Sequence, residues 1–266
     1  MRRYIYFVFL LCCAVNLLLT SCVRQKYVVM DMVHHNPGEA MTESKFLDPS
    51  FLKKNEYGAK VFFLFEAAQF GIDWKSFDPS LFPDTTEAGR WVAEKAEIIH
   101  KKYDAAKKED LQVYCMLDML VLPSLLVEKH RTELTNEQGK LDISKPYTQL
   151  CIRELMKEMF ETFPQLDGLV IRTGETYLHD APYYVGNHPV QNGMYDHITL
   201  INLLREEVCE RRNKKLFYRT WDMGQLHSIP KYYLSVTDSI EPHPNLYFSI
   251  KHTMTDFWRS AITDPD

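Results

Sequence analysis

Three short apolar runs in this chain end abruptly in charge. Leu169 to Ile171 runs into Arg172, Gly174 and Glu175, Leu216 to Tyr218 into Arg219 and Asp222, and Leu246 to Ile250 into Lys251 and Asp256. A buried parallel strand delivers the residues at its carboxyl end to the rim of a barrel, so the three ends converge on one pocket. Two carboxylates facing each other across such a pocket suit glycoside hydrolysis. One protonates the leaving oxygen and the other activates water or attacks carbon, at separations of about 6.5–9.5 Å for inversion and about 5–5.5 Å for retention. Gly174 allows the sharp turn that projects Glu175 over the rim, and Asp256, five residues beyond Lys251, faces it from the far side. Arg172, Arg219 and Lys251 all terminate strands, which suits an anionic substrate such as a uronic acid held by charge-assisted hydrogen bonds. The competing arrangement is internal pairing of these cations with Asp222, Glu175 or Asp256.

The elements that position these residues follow from periodicity. Six apolar segments read as strands buried on both faces: Tyr27–Val33, Lys60–Phe65, Leu111–Leu117, Gly168–Arg172, Leu216–Arg219 and Leu246–Lys251. Between them lie helical patterns. Thr86–Lys107 places Val92, Ala96, Ile99, Tyr103 and Ala106 on one face, Pro146–Phe163 does so with Ile152, Leu155, Met159 and Phe163, and Met194–Arg212 with Ile201, Leu204 and Val208. Asp48 before Pro49 predicts a capped short helix, and Pro230–Ile240 another. Alternating strands and helices predict an α/β fold with a parallel sheet. A doubly wound sheet and a (β/α)8 TIM barrel both fit, but no glycine-rich dinucleotide fingerprint is present and charge collects after several strands, which favours the barrel. Six units are accounted for, and Ser260 to Asp266 cannot supply two more, so the expectation is an incomplete barrel, unstable or inactive alone.

The amino terminus reads differently. Arg2 and Arg3 precede an apolar stretch from Tyr4 to Leu19, then Thr20, Ser21 and Cys22. This is a secretory signal over residues 1–21 ending in what resembles a bacterial lipobox, with residues 22–266 as one glycosidase-like domain. Cys22 then carries lipid and anchors the body in the cell envelope, in the periplasm or at the outer-membrane surface. Removing the leader takes away two arginines and no acid, moving the formal charge from −5 to −7. Such a surface argues against nucleic acid as a partner. Cys115, Cys151 and Cys209 remain, each in an apolar stretch, and read as buried free thiols rather than a disulfide framework or zinc site.

Three blocks resemble the alpha-glucuronidases of bacteria and fungi. Ile250 to Phe257 is similar to the segment in which a lysine gripping the uronate carboxylate precedes a candidate general-base aspartate by five residues, here Lys251 and Asp256. Gly168 to Glu175 looks like their strand-four segment, which ends in the general-acid glutamate, and Tyr218 to Trp221 like strand five, whose arginine also binds the carboxylate. The resemblance implies a glycoside-hydrolase barrel with Glu175 as acid and Asp256 as base or its partner. There are departures. The family has a lysine four residues before its acid, whereas Arg172 stands three before Glu175, and the family's strand-seven glutamate and amino-terminal β domain have no counterpart here.

The resulting expectation is a lipid-anchored glycoside hydrolase-like protein acting on uronate-containing or plant-type oligosaccharides and polysaccharides. Arg172, Arg219, Lys251, Asp222, His35 and Tyr177 hold the substrate, and the chemistry requires no metal or organic cofactor. The alternatives are a non-catalytic carbohydrate-binding lipoprotein and a metal-dependent hydrolase using His34 or His35. Adjacent strand residues point to opposite faces, which argues against both histidines holding one ion. Asp31, Glu66 and Asp118, near other strand ends, read as structural or substrate-positioning. In the loop from Thr176 to Asn192, Tyr177, His179, Tyr183, Tyr184 and His188 either stack on sugar faces or pack on one another.

Overall fold

The computed structural model describes residues 29–31, 44–63, 66–174, 176, 178, 180–220, 226 and 229–250. Six strands form one sheet in the order of the chain: β1 (Met30–Asp31), β2 (Ala59–Phe62), β3 (Gln112–Asp118), β5 (Gly168–Arg172), β7 (Lys215–Arg219) and β8 (Leu246–Ser249). Every neighbouring pair is parallel. A doubly wound sheet reverses its strand order at a switch point, whereas right-handed crossovers between strands in consecutive order put every connection on one face and curl the sheet into a barrel. The fold is therefore of the (β/α)8 TIM-barrel type, incomplete among the described residues, with six strand positions filled. Two further strands, β4 (Val121–Pro123) and β6 (Tyr184–Gly186), make a small antiparallel ribbon beyond the ends of β3 and β5.

Alternation along the strands separates two cores. Phe62, Val113, Cys115, Leu117, Leu169, Ile171, Leu216 and Tyr218 join the large cluster on the helical side. Ala59, Val61, Tyr114, Met116 and Val170 form a smaller cluster on the other face, with Met30, Phe63 and Phe217 against it. Gly168 permits the close approach of β5 to β7, since a Cβ there would stand 2.1 Å from the Lys215 carbonyl oxygen.

The helices follow their sequence signals. Asp48 caps α1 (Pro49–Lys54) by accepting a 2.9 Å hydrogen bond from the Ser50 amide, with Pro49 in the first turn. Thr86 caps α2 (Glu87–Lys108) through the Gly89 amide at 3.0 Å, and α2 buries Val92, Ile99, Tyr103 and Ala106. Ser124–Lys129 and Arg131–Leu134 are the short α3 and α4, followed by α5 (Pro146–Thr162), α6 (Met194–Leu204) and α7 (Pro230–Thr237). The expected helix from Met194 to Arg212 is corrected: α6 stops at Leu204 and a π-helical turn, Arg205–Glu210, continues it. There Arg153 of α5 bridges Glu206 at 2.8 Å and Glu207 at 2.6 Å. The expected strand ends also shorten, β2 stopping at Phe62 and β8 at Ser249. Cys115, Cys151 and Cys209 are free and buried. Among the described residues no helix is long and apolar enough to cross a membrane.

Candidate functional site

Register decides which side chains meet at the carboxyl end of the sheet. Asp118, last in β3, pairs directly with Arg172, last in β5, and the pairing of Ile171 with Tyr218 sets Arg219 of β7 in the next place. Alternation from Met116 and Val170 puts all three on the face opposite the helices. The apolar runs in the sequence bring Arg172 and Arg219 to one rim, and the structure places them side by side there.

Arg172 grips Asp118 with two parallel hydrogen bonds, Nε donating to Oδ1 and Nη2 to Oδ2, the second at 2.6 Å. The side chains are only 17 % and 11 % exposed, so water screens the pair weakly. The sequence offers Asp222, Glu175 and Asp256 as internal partners for the rim cations. Among the described residues Arg172 pairs with Asp118, because strand register sets these two opposite each other, while the three expected partners lie outside the described residues.

Arg219 is held differently. Its Nη1 donates to the Met116 sulfur at 3.3 Å, and no carboxylate among the described residues forms an ion pair with it. Burial lowers its pKa and the Arg172 charge lowers it further, against a smaller opposing effect of Asp118. A thioether is a weak acceptor, so this contact uses little of the guanidinium's donor capacity.

A narrow crevice runs beneath the ion pair, lined by Phe63, Gln69, Phe70, Met116, Asp118 and Arg172. Gln69 lies in a 3-10 turn, Ala68–Gly71, and was not anticipated from sequence, since a glutamine in a loop carries no periodic or motif signal. Behind the rim, on the helical side, His197 Nδ1 and the Tyr218 hydroxyl share a 2.8 Å hydrogen bond. Burial presses the His197 pKa down to about 4. Burial also pushes the Cys115 thiol up to about 12, which rules it out as a nucleophile at neutral pH.

The described tyrosines of the loop after β5 pack against rings from outside the loop, not against one another. Tyr184 is buried against Phe70 at 5.0 Å and Phe82 at 5.7 Å between ring centroids, and Tyr183 lies 5.8 Å from Trp91. These two rings belong to the core rather than to a stacking surface. His188 Nδ1 accepts from the Val190 amide, and its pKa is lowered chiefly by burial. Glu175, Asp256, Lys251, Asp222, His35, His34, Tyr177, His179 and Cys22 lie outside the described residues. Among the described residues no group of three or more His, Cys, Asp or Glu side chains is placed to hold a metal ion.

No family model matches the sequence. No curated protein matches it either. Among solved structures, a GH138 enzyme targeting pectin rhamnogalacturonan II is similar at 14 % identity and TM-score 0.47, over 85 % of this chain and 25 % of that one. Dispersin B is similar at 13 % identity and TM-score 0.44, over 87 % and 66 %. A maltogenic alpha-amylase from Thermotoga neapolitana is similar at 13 % identity and TM-score 0.40, over 77 % and 46 %. This chain thus spans between a quarter and about two thirds of these proteins. At such TM-scores none of the likenesses fixes an activity for it.

Proposed function

We propose that the carboxyl-end rim of the sheet binds the acidic sugar of a uronate-containing oligosaccharide and that the protein is a glycoside hydrolase of two-carboxylate type. The observation that carries the reading is the half-buried Arg219, set beside the Asp118–Arg172 pair and held, among the described residues, by a thioether. A cation so placed is poised to take a carboxylate, and the neighbouring pair fixes its position without competing for the ligand's charge. Glu175, three residues beyond Arg172, is the general acid, and Asp256 is the base or its partner. Lys251, Asp222, His35 and Tyr177 complete the contacts to the sugar. No cofactor enters this chemistry. Cys22 carries the lipid that anchors the protein in the cell envelope.

The test uses a form of the protein in which the barrel is complete, since this chain alone is expected to be inactive, and xylo-oligosaccharides bearing a terminal glucuronic acid. Wild type is expected to release the uronic acid, Glu175→Gln to bind without releasing it, and Arg219→Met to lose affinity. Undiminished hydrolysis by Glu175→Gln would remove it as the acid. Binding without turnover by wild type would favour a carbohydrate-binding lipoprotein, and activity lost to a chelator would favour a metal hydrolase.

A further inference from the structure

Gln69 is 3 % exposed and lines the crevice under the Asp118–Arg172 pair, yet its Oε1 is buried with no hydrogen-bond partner among the described residues. Native interiors almost always satisfy such atoms, so an orphaned amide oxygen beside a polar rim calls for an occupant. The turn that carries it is fixed from several sides. The Ala68 amide donates to Cys115 Sγ at 3.1 Å, and the Gln69 carbonyl accepts from the Tyr184 hydroxyl at 3.3 Å. Phe70 is wedged between Trp91 and Tyr184. At Gly71 a Cβ would stand 2.8 Å from Phe163 Cζ and 3.0 Å from Ala96 Cα. The backbone of the turn is therefore fixed, and with it the point from which the Gln69 side chain starts.

The free space in the crevice takes about one water-sized group, so a whole sugar ring does not enter but a single hydroxyl does. Phe63, Phe70 and Met116 make its walls apolar, which strengthens a hydrogen bond made inside it. Asp118 is already committed to Arg172, whereas a neutral amide oxygen accepts from a hydroxyl with no charge to desolvate. We infer that Gln69 is a positioning residue whose side-chain oxygen receives one hydroxyl of the bound sugar, fixing the ring against the rim cations. This rests on the reading of the rim as a carbohydrate site. The same hydroxyl chemistry is offered by a resident water, and the two sources differ in their effect on sugar affinity.

The probes are D-glucuronate and D-glucose, titrated calorimetrically into the full-length wild type and Gln69→Met, with a thermal melt of each protein. The expected result is glucuronate binding by wild type that falls tenfold or more in Gln69→Met, while the melting temperature holds or rises because a buried orphan has gone. Unchanged glucuronate affinity in Gln69→Met overturns the inference, leaving the crevice to a water and the rim reading intact. Equal binding of both sugars by wild type, weakened alike by Gln69→Met, supports the hydroxyl contact and removes the preference for acidic sugars. If wild type binds neither sugar, the inference and the rim reading fall together. Should Gln69→Met fail to fold, Gln69→Asn withdraws the amide by one methylene and is expected to weaken binding in the same direction.

Discussion

Asp118 and Arg172 illustrate what a shielded ion pair does to single substitutions. Removing one partner leaves the other charged in a poorly hydrated place, so Asp118→Asn is expected to lower stability by about 3 kcal/mol in urea denaturation. The double variant Asp118→Leu with Arg172→Met should recover most of that loss. Equal losses in the single and double variants would show that packing, not charge, matters at this spot. His197 makes a separate prediction about pH. Its folded pKa of about 4 lies below the ordinary 6.5, so the unfolded chain takes up a proton that the folded one refuses. The stability involved is whole above the ordinary value and is lost as pH falls through about 4, with a size of roughly 3 kcal/mol. His197→Phe should flatten that acid limb of the urea midpoint against pH, and curves that stay parallel would dismiss the idea.

At the scale of elements, β5 was legible to the residue, because Gly168 and Arg172 bracket one continuous apolar run. The helices were equally plain where a cap and a stripe agree, as at Thr86 with Val92, Ile99 and Tyr103. The β4–β6 ribbon was not, since two three-residue strands about sixty residues apart in sequence leave no local period to detect. Nor was the Asp118–Arg172 contact, which depends on a strand register that a run of apolar residues does not encode. Gln69 stayed invisible for a related reason: its significance lies in what fails to contact it. The turn around Gln69 supplies a test at this scale. Gly71→Ala places a methyl against Phe163 and the Ala96 backbone, so a loss of about 1–3 kcal/mol is expected, with a fall in sugar affinity as the turn shifts. Full stability in that variant would mean the turn can yield.

For the whole molecule, the two ends of a barrel-type sheet serve different ends: ligand contacts gather at the carboxyl termini of the strands, and the opposite side of the barrel maintains stability. Asp167, just before β5, accepts from the Val113 amide at 2.7 Å and pairs with Lys107 on that opposite side. Asp167→Ala is therefore expected to reduce the urea midpoint while leaving glucuronate affinity unchanged. A change in affinity would show that the two sides are coupled. The proposed lipid anchor is tested separately: if Cys22 carries it, Cys22→Ser should move the protein from the detergent to the aqueous phase on partitioning.

The β4–β6 ribbon ties the segment leaving Asp118 to the segment leaving Arg172, with Met119 donating to the Arg172 carbonyl at 3.1 Å and Leu120 exchanging hydrogen bonds with Asn187. Those two segments are thus one mechanical part. A ligand seated at the proposed site and pushing against either side would move both, so the selectivity of this rim would change by paired replacement rather than one loop at a time.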